Sequence, residues 1–343
     1  MANQPQSPDI FRKIQKMQKH FSQAVVSAVL ATAALVAGDE AMAQSQSEWP
    51  KAKPVTIVVG FAAGAFTDNI ARVVAQKMGE ATGGAFVVDN KPGAGGNLAT
   101  GQVKRAAPDG YTILVHSVAF AVNPSLYPTA GYDAIKDFVP LALGPRTPNI
   151  ITVNPNTPAK DLKELMELAR KEKLSYASSG VGTTTHLSVE RLKVAARVDI
   201  THVPYQPAQA INAVVAGHTQ MSSTSMPPAV PQIKAGKLRA IAVTSAKRSA
   251  LLPDVPSVTE FGYTDFDDYT WVGFFVPAGT PQALVDRINS EINKAMELPD
   301  SKEKFIALGM ESTRNTSNEF GAFLRDEVGK WAAVVKSTGA KVD

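Results

Sequence analysis

Phe61-Ala62-Ala63-Gly64-Ala65-Phe66-Thr67-Asp68 lies between an apolar run, Val55–Gly60, and an amphipathic stretch, Asn69–Met78. This pattern reads as a strand, a small-residue turn and the start of a helix. Unpaired N–H groups at such a start, with the positive end of the helix dipole, favour an anion. Three further stretches place small or hydroxyl residues after strand-like runs. They are His116-Ser117-Val118-Ala119-Phe120, the run from Ser178 through Ser179, Gly182, Thr183, Thr184 and Thr185 to His186, and Ser222-Ser223-Thr224-Ser225. Each alone is ordinary turn chemistry. Together they are rich in N–H and O–H donors and nearly free of charge, which predicts an uncharged pocket that binds an anion by hydrogen bonds.

Other chemistries fit poorly. Asn90-Lys91-Pro92-Gly93-Ala94-Gly95-Gly96-Asn97 is only superficially a dinucleotide fingerprint, because its third glycine is misplaced and no acidic residue ends a strand about 20 residues on. A tight Pro-Gly turn opening a helix is the better reading. No phosphate-loop lysine, Gly-x-Ser-x-Gly elbow or thiol is present. His116, His186, His202 and His218 are dispersed, without metal-ligand spacing. His186 opens a helix and is expected to cap or orient the threonine loop. Asp68 is expected to cap the first helix, stabilising it by roughly 1 kcal/mol. The chain is read as no enzyme, with no cofactor and no metal.

The elements that must position these residues alternate. Short apolar runs (55–59, 86–88, 112–115, 150–153, 175–177, 201–203, 240–243 and 272–276) are separated by helical patterns (68–78, 98–105, 161–172, 185–198, 208–216 and 229–234). A helix capped by Thr280 runs to about Glu297, and Ser317 caps a last one. The order predicts an α/β fold with doubly wound parallel sheets. The segments 143–148 and 262–269 look like crossovers. They divide the chain into one domain of residues 44–147 and 270–343 and a second of residues 148–269, whose facing strand ends make a cleft.

Residues 1–43 read as a secretory leader: a basic segment with Arg12, Lys13, Lys16 and Lys19, an uncharged apolar run from Ala24 to Gly38, and Ala41-Met42-Ala43 as the cleavage pattern. Met17 is an alternative start. Removing the leader's four basic and three acidic residues takes the net charge from +4 to +3. The chain has no cysteine, so neither lipidation on sulfur nor a disulfide is available. No basic patch with interleaved aromatics points to nucleic acid, and no later apolar run reaches membrane length. A monomer in the periplasm is the simplest expectation.

Several motifs, in order, resemble the Bug family of extracytoplasmic solute-binding proteins of tripartite tricarboxylate transporters. They include Val-Gly-Phe-Ala-Ala-Gly-Ala-Phe-Thr-Asp (59–68), Asn-Lys-Pro-Gly-Ala-Gly-Gly-Asn (90–97), Asn-Pro-Ser-Leu-Tyr (123–127), Tyr-Ala-Ser-Ser-Gly-Val-Gly-Thr-Thr-Thr-His-Leu (176–187), His-Val-Pro-Tyr (202–205) and Leu-Pro-Asp-Val-Pro-Ser-Val (252–258). The resemblance runs from about Trp49 to the C-terminus. It implies a two-lobed, type 2-like periplasmic binding protein that closes on an organic di- or tricarboxylate and delivers it to membrane permease subunits, or alternatively serves a two-component sensor. Carried over, it assigns the ligand to Phe61, Ala62, Ala63, Gly64, Ala65 and Asp68 on one lobe, and to Ser179, Gly182, Thr183, Thr184, Thr185 and Tyr205 on the other. Many members carry His where Phe120 stands and an Asp near Ser222–Ser225. The missing carboxylate argues against an amine-bearing ligand, and Phe66 with Phe120 suggests an aromatic wall. A terephthalate-like dicarboxylate is the ligand this predicts.

Overall fold

The computed structural model describes residues 48–342; the expected leader lies outside them. The strands are β1 (Val55–Val59), β2 (Phe86–Asn90), β3 (Thr112–Ser117), β4 (Phe138–Val153), β5 (Leu174–Ser178), β6 (Ile200–Pro204), β7 (Met221–Ser225), β8 (Arg239–Val243) and β9 (Tyr269–Pro277). The helices are α1 (Phe66–Thr82), α2 (Asn97–Lys104), α3 (Ala119–Leu126), α4 (Leu162–Lys171), α5 (Thr184–Ala196), α6 (Pro207–Val215), α7 (Met226–Lys234), α8 (Gln282–Glu297), α9 (Pro299–Ala307) and α10 (Ser317–Thr338).

The sheet is mixed rather than all parallel. β1 pairs in parallel with β2 and β3, and β5 with β6 and β7. β9 is antiparallel to β3 and β4, and β4 is antiparallel to β7 and β8. The strand order is β2-β1-β3-β9-β4-β7-β5-β6, with β8 also on β4. Long β4 joins two lobes: residues 138–148 pair with β9, and 149–153 pair with β7 and β8. Its register shifts at Pro140/Ala142 and Leu143/Arg146 coincide with prolines and a glycine, which interrupt the apolar pattern and hide its first half from a sequence reading.

Buried strands explain the hydrophobic cores. In the first lobe, Ile57, Val59, Ile113, Val115, Val272 and Phe274 pack against α1 and α8, while Leu114, Phe120, Phe275 and Trp271 pack against α10 on the opposite face. In the second lobe, Ile151, Tyr176 and Met221 face α4 and α5, and Ile150, Ala177 and Val243 face α6 and α7.

Helix starts follow cap chemistry, with two corrections. Asp161 caps α4 through the Glu164 N–H, and Thr183 caps α5 through the His186 N–H. The cap of α10 is Thr316, not Ser317: Thr316 and Glu319 form a reciprocal capping box, and the Ser317 hydroxyl donates to Pro140 O at 2.5 Å. Thr280 caps nothing. Its hydroxyl donates to Pro277 O at 2.8 Å, and α8 begins after Pro281. The run Ser222–Ser225 is strand β7 itself, not a loop after a strand, because pairing with β4 and β5 satisfies its backbone despite the weak apolar signal.

Candidate functional site

The turn before α1 is held from behind. Asp68, 1% exposed, accepts from the Gly64 N–H at 2.7 Å, from Arg72 Nε at 3.0 Å and from Asn90 Nδ2 at 2.9 Å. Asn90 Nδ2 also donates to Phe61 O, and Arg72 Nη2 donates to Asn90 Oδ1. Burial by itself would raise the Asp68 pKa; the hydrogen bonds from Arg72, Gly64 and Asn90 and the Arg72 charge outweigh it and hold the carboxyl below its ordinary value. Asp68 therefore braces the turn rather than capping the helix. Ala65 stands at the N-cap position and makes no side-chain cap, so the first N–H groups of α1, at Phe66, Thr67 and Asp68, have no intrahelical partner. The Thr67 hydroxyl beside them is buried and unpartnered. Ala62, Ala63 and Gly64 are exposed, and Ala65 is half-buried.

His116 and Phe120 are corrected. Both are fully buried and cannot present a surface to a ligand. The His116 ring fits beneath Gly60 and Gly96, where a Cβ on Gly96 would lie 2.0 Å from Nε2. It packs edge-on to Phe61 at 5.3 Å, and burial depresses its pKa to about 4. Phe120 stacks on Phe275 at 4.1 Å and on Tyr132 at 5.2 Å, and meets Phe138 edge-on. Helix α3 starts right after β3, and its first turn rotates Phe120 into the lobe. The Ser117 hydroxyl accepts from the Ala119 N–H at 3.3 Å, and its carbonyl lies 3.1 Å from His116 Nδ1. Phe66 is half-buried and leans on the first-lobe core. Phe61 is thus the half-exposed end of an aromatic column running through His116 to Phe120.

The second-lobe loop closes on itself. Thr185 Oγ1 accepts from the Ser179 N–H at 2.9 Å and lies 2.7 Å from Thr183 Oγ1, which donates to Gly180 O at 2.7 Å. The Gly182 N–H donates to His186 Nδ1 at 3.2 Å, a bond that needs the neutral ring. His186 stacks on His202 at 4.1 Å, and His202 Nε2 lies 2.6 Å from Ser178 Oγ, which accepts from the Gly180 N–H. Burial lowers the pKa of His186 to about 4 and of His202 to about 3. His202, which the sequence marks only as a strand residue, is therefore part of the loop's support. Gly182 (φ +77°) touches α3 of the first lobe, where a Cβ would lie 2.2 Å from Leu126 Cδ2. Tyr205 is half-buried on the α6–α7 core, and its N–H donates to Ser178 O at 3.1 Å.

On β7, the Ser223 and Thr224 hydroxyls are buried without partners, as is Asn149 Nδ2 on the neighbouring strand. The Thr184 and Thr270 hydroxyls are 2.5 Å apart, and Thr270 donates to Asn149 Oδ1 at 2.9 Å. Sequence reading included Thr67 in the 61–68 turn but gave it no role of its own, and it missed Asn149 and Thr270. An isolated threonine or asparagine carries no motif, and only the meeting of β4 and β9 gives those two significance. The turn at 61–68 and the loops at 117–119 and 178–186 follow the carboxyl ends of parallel strands β1, β3 and β5, whereas Ser223 and Thr224 lie within β7. A separate open groove of about 540 Å³, between Arg191, Val194, Tyr263, Phe266 and Val334, includes none of them.

A family model described as the tripartite tricarboxylate transporter family receptor matches residues 70–340. The chain belongs to this receptor family. It is a solute-binding protein, not an enzyme. BugT of Bordetella pertussis is 32% identical over 93% of this chain and 98% of its own length. An R. palustris protein solved with adipate is 31% identical, covering 86% of this receptor and 100% of that chain, with a TM-score of 0.78. MatC from Rhodopseudomonas palustris with bound malate is 31% identical, covering 82% and 99%, with a TM-score of 0.74. The two-lobed α/β architecture is shared with these solved structures.

Proposed function

We propose that the receptor captures an organic dicarboxylate in the periplasm and delivers it to the membrane subunits of a tripartite transporter. In this reading residues 44–147 and 270–343 form one lobe and 148–269 the other, hinged where β4 and β9 cross, and the ligand bridges the 61–68 turn and the 178–186 loop. The observation that carries it is the uncapped start of α1: free N–H groups and the unpartnered Thr67 hydroxyl, on a turn whose one carboxylate, Asp68, is already engaged. A ligand carboxylate supplies the acceptors these donors lack, and leaving buried donors unfilled costs about 1–3 kcal/mol each. Ser223, Thr224 and Asn149 Nδ2 are further unfilled groups, suited to a second polar end. Malate and adipate in the two neighbours support the class.

Because Phe120 is core, the expected aromatic wall keeps only Phe66, with half-exposed Phe61 on the same turn. Adipate is therefore the first probe and terephthalate the second. Calorimetric titration with adipate, malate, terephthalate and citrate tests the reading, together with Thr67→Val. The valine fits the buried site without a hydroxyl, so the apo melting temperature stays within about 2 °C while affinity falls tenfold or more. No heat with any of the four acids, or a Thr67→Val protein with wild-type affinity, refutes it.

A further inference from the structure

Helix α5 carries the second-lobe ligand loop at its first turn, and three of its residues meet the crossover that begins β9. Thr184, Ser188 and Arg191, spaced i, i+4, i+7, lie on one helical face. Thr184 contacts the Thr270 hydroxyl at 2.5 Å. Ser188 Oγ donates to Asp268 Oδ2 at 2.9 Å, and Arg191 Nη1 donates to Asp268 Oδ1 at 2.6 Å. Asp268 is fully buried, and its backbone is stapled in place: its N–H donates to Thr244 O at 3.0 Å, and its carbonyl accepts from Thr244 Oγ1 at 2.7 Å.

The same carboxylate reaches the other lobe. Lys330 Nζ, from α10 packed in the first-lobe core, lies 3.6 Å from Asp268 Oδ1. Lys330 also pairs with Glu327, whose Oε2 accepts from Trp271 Nε1 at 2.7 Å and from Trp331 Nε1 at 2.8 Å. One buried acid thus takes two donors from the helix behind the ligand loop and one cation from the opposite lobe. A buried charge left short of a partner is costly, so its partners are held together.

We propose that Asp268 is a positioning residue for ligand capture: through Ser188 and Arg191 it fixes α5, and through Lys330 it ties α5 to the first lobe, setting the second-lobe loop at the angle that closes on the ligand. The claim rests on the reading of the 178–186 loop as a ligand loop. Lys330→Met removes the one charged tie Asp268 makes to the first lobe while leaving Ser188, Arg191 and Asp268 joined; the Thr184–Thr270 and Gly182–Leu126 contacts stay, and Glu327 keeps both tryptophan donors. Small-angle scattering of the apo full-length chain and calorimetry with adipate read the outcome. Lys330→Met is expected to enlarge the apo radius of gyration and weaken adipate binding about tenfold, and Lys330→Arg to restore both to within twofold of wild type. An apo scattering profile unchanged in Lys330→Met overturns the proposal, whatever the affinity. If the wild-type protein binds none of adipate, malate and terephthalate, the ligand reading fails, while the apo scattering comparison still decides the role of Asp268 and Lys330. Asp268→Asn is a second variant with the same expected direction in scattering.

Discussion

Asp68→Asn tests the idea that a buried carboxylate shapes the anion turn without itself binding the ligand. The carboxylate accepts three hydrogen bonds, from the Gly64 N–H, Arg72 Nε and Asn90 Nδ2. An asparagine keeps one acceptor oxygen and replaces the other by an NH₂ group. Placed toward Gly64 and Arg72, that group meets two donors; placed toward Asn90, it meets an amide N–H. Arg72 has half its side chain in solvent, so its pair adds little. The charge-assisted bonds to the Gly64 N–H and Asn90 contribute about 1.5–3 kcal/mol each, part of which asparagine retains. A net loss of about 2–4 kcal/mol follows, and the melting temperature falls by roughly 3–6 °C, read by circular dichroism or calorimetry. The turn also loses its anchor at Gly64, so adipate affinity drops by more than tenfold in titration calorimetry. A melting temperature within 1 °C of wild type, with unchanged affinity, refutes the reasoning.

Two glycines with similar backbones are expected to differ. Gly182→Ala combines left-handed strain at φ +77° with a Cβ 2.2 Å from Leu126, and costs about 2–4 kcal/mol in denaturant unfolding; Gly64→Ala, at φ +80° with nothing within 4 Å, costs about 1–2 kcal/mol. Stability also falls with acid before the carboxylates titrate. His116, His186 and His202 have folded pKa values depressed by burial from 6.5 to about 4, 4 and 3. Between pH 6.5 and 4 the unfolded chain therefore binds protons that the folded chain refuses. Unfolding free energy declines as pH falls through this window, by up to about 1.4 kcal/mol per pH unit for each histidine. Below pH 3.8 the depressed Asp68 pKa adds loss in the same direction. Urea melts at pH 7, 6, 5 and 4.5 read the slope, and a flat profile removes the neutral-histidine account of the loop. His202→Gln is expected to flatten that slope in part.

Much of this receptor is legible along the chain because the relevant physics is local. Short apolar runs between Gly, Pro, Asn and Asp mark eight of the strands, and the small-residue turn before Asn69 marks an anion-friendly helix start. Where two influences compete, local signals fail. Ser222–Ser225 looks like a donor loop because serine and threonine favour turns, yet the edges of β4 and β5 draw it into the sheet. Phe120 looks like a cleft wall by its place after β3, but α3 winds it inward to a column of four rings that only the fold assembles. The mixed sheet, too, is invisible to the alternation of strands and helices, since that pattern does not record strand direction.

The sequence by itself determined where backbone donors collect, that Asp68 is the one carboxylate among them, and that the chain is built of alternating strands and helices. Those properties depend on residues a few positions apart, whose geometry is set by dihedral preference and hydrogen bonding. Only the tertiary structure decided which side chains meet. Asp68 meets Asn90, His186 meets His202, and Asp268 gathers Ser188, Arg191 and Lys330 across more than 60 residues of chain. Such contacts arise when burial brings distant segments together, and a buried polar group then has to find its partner wherever packing has put one.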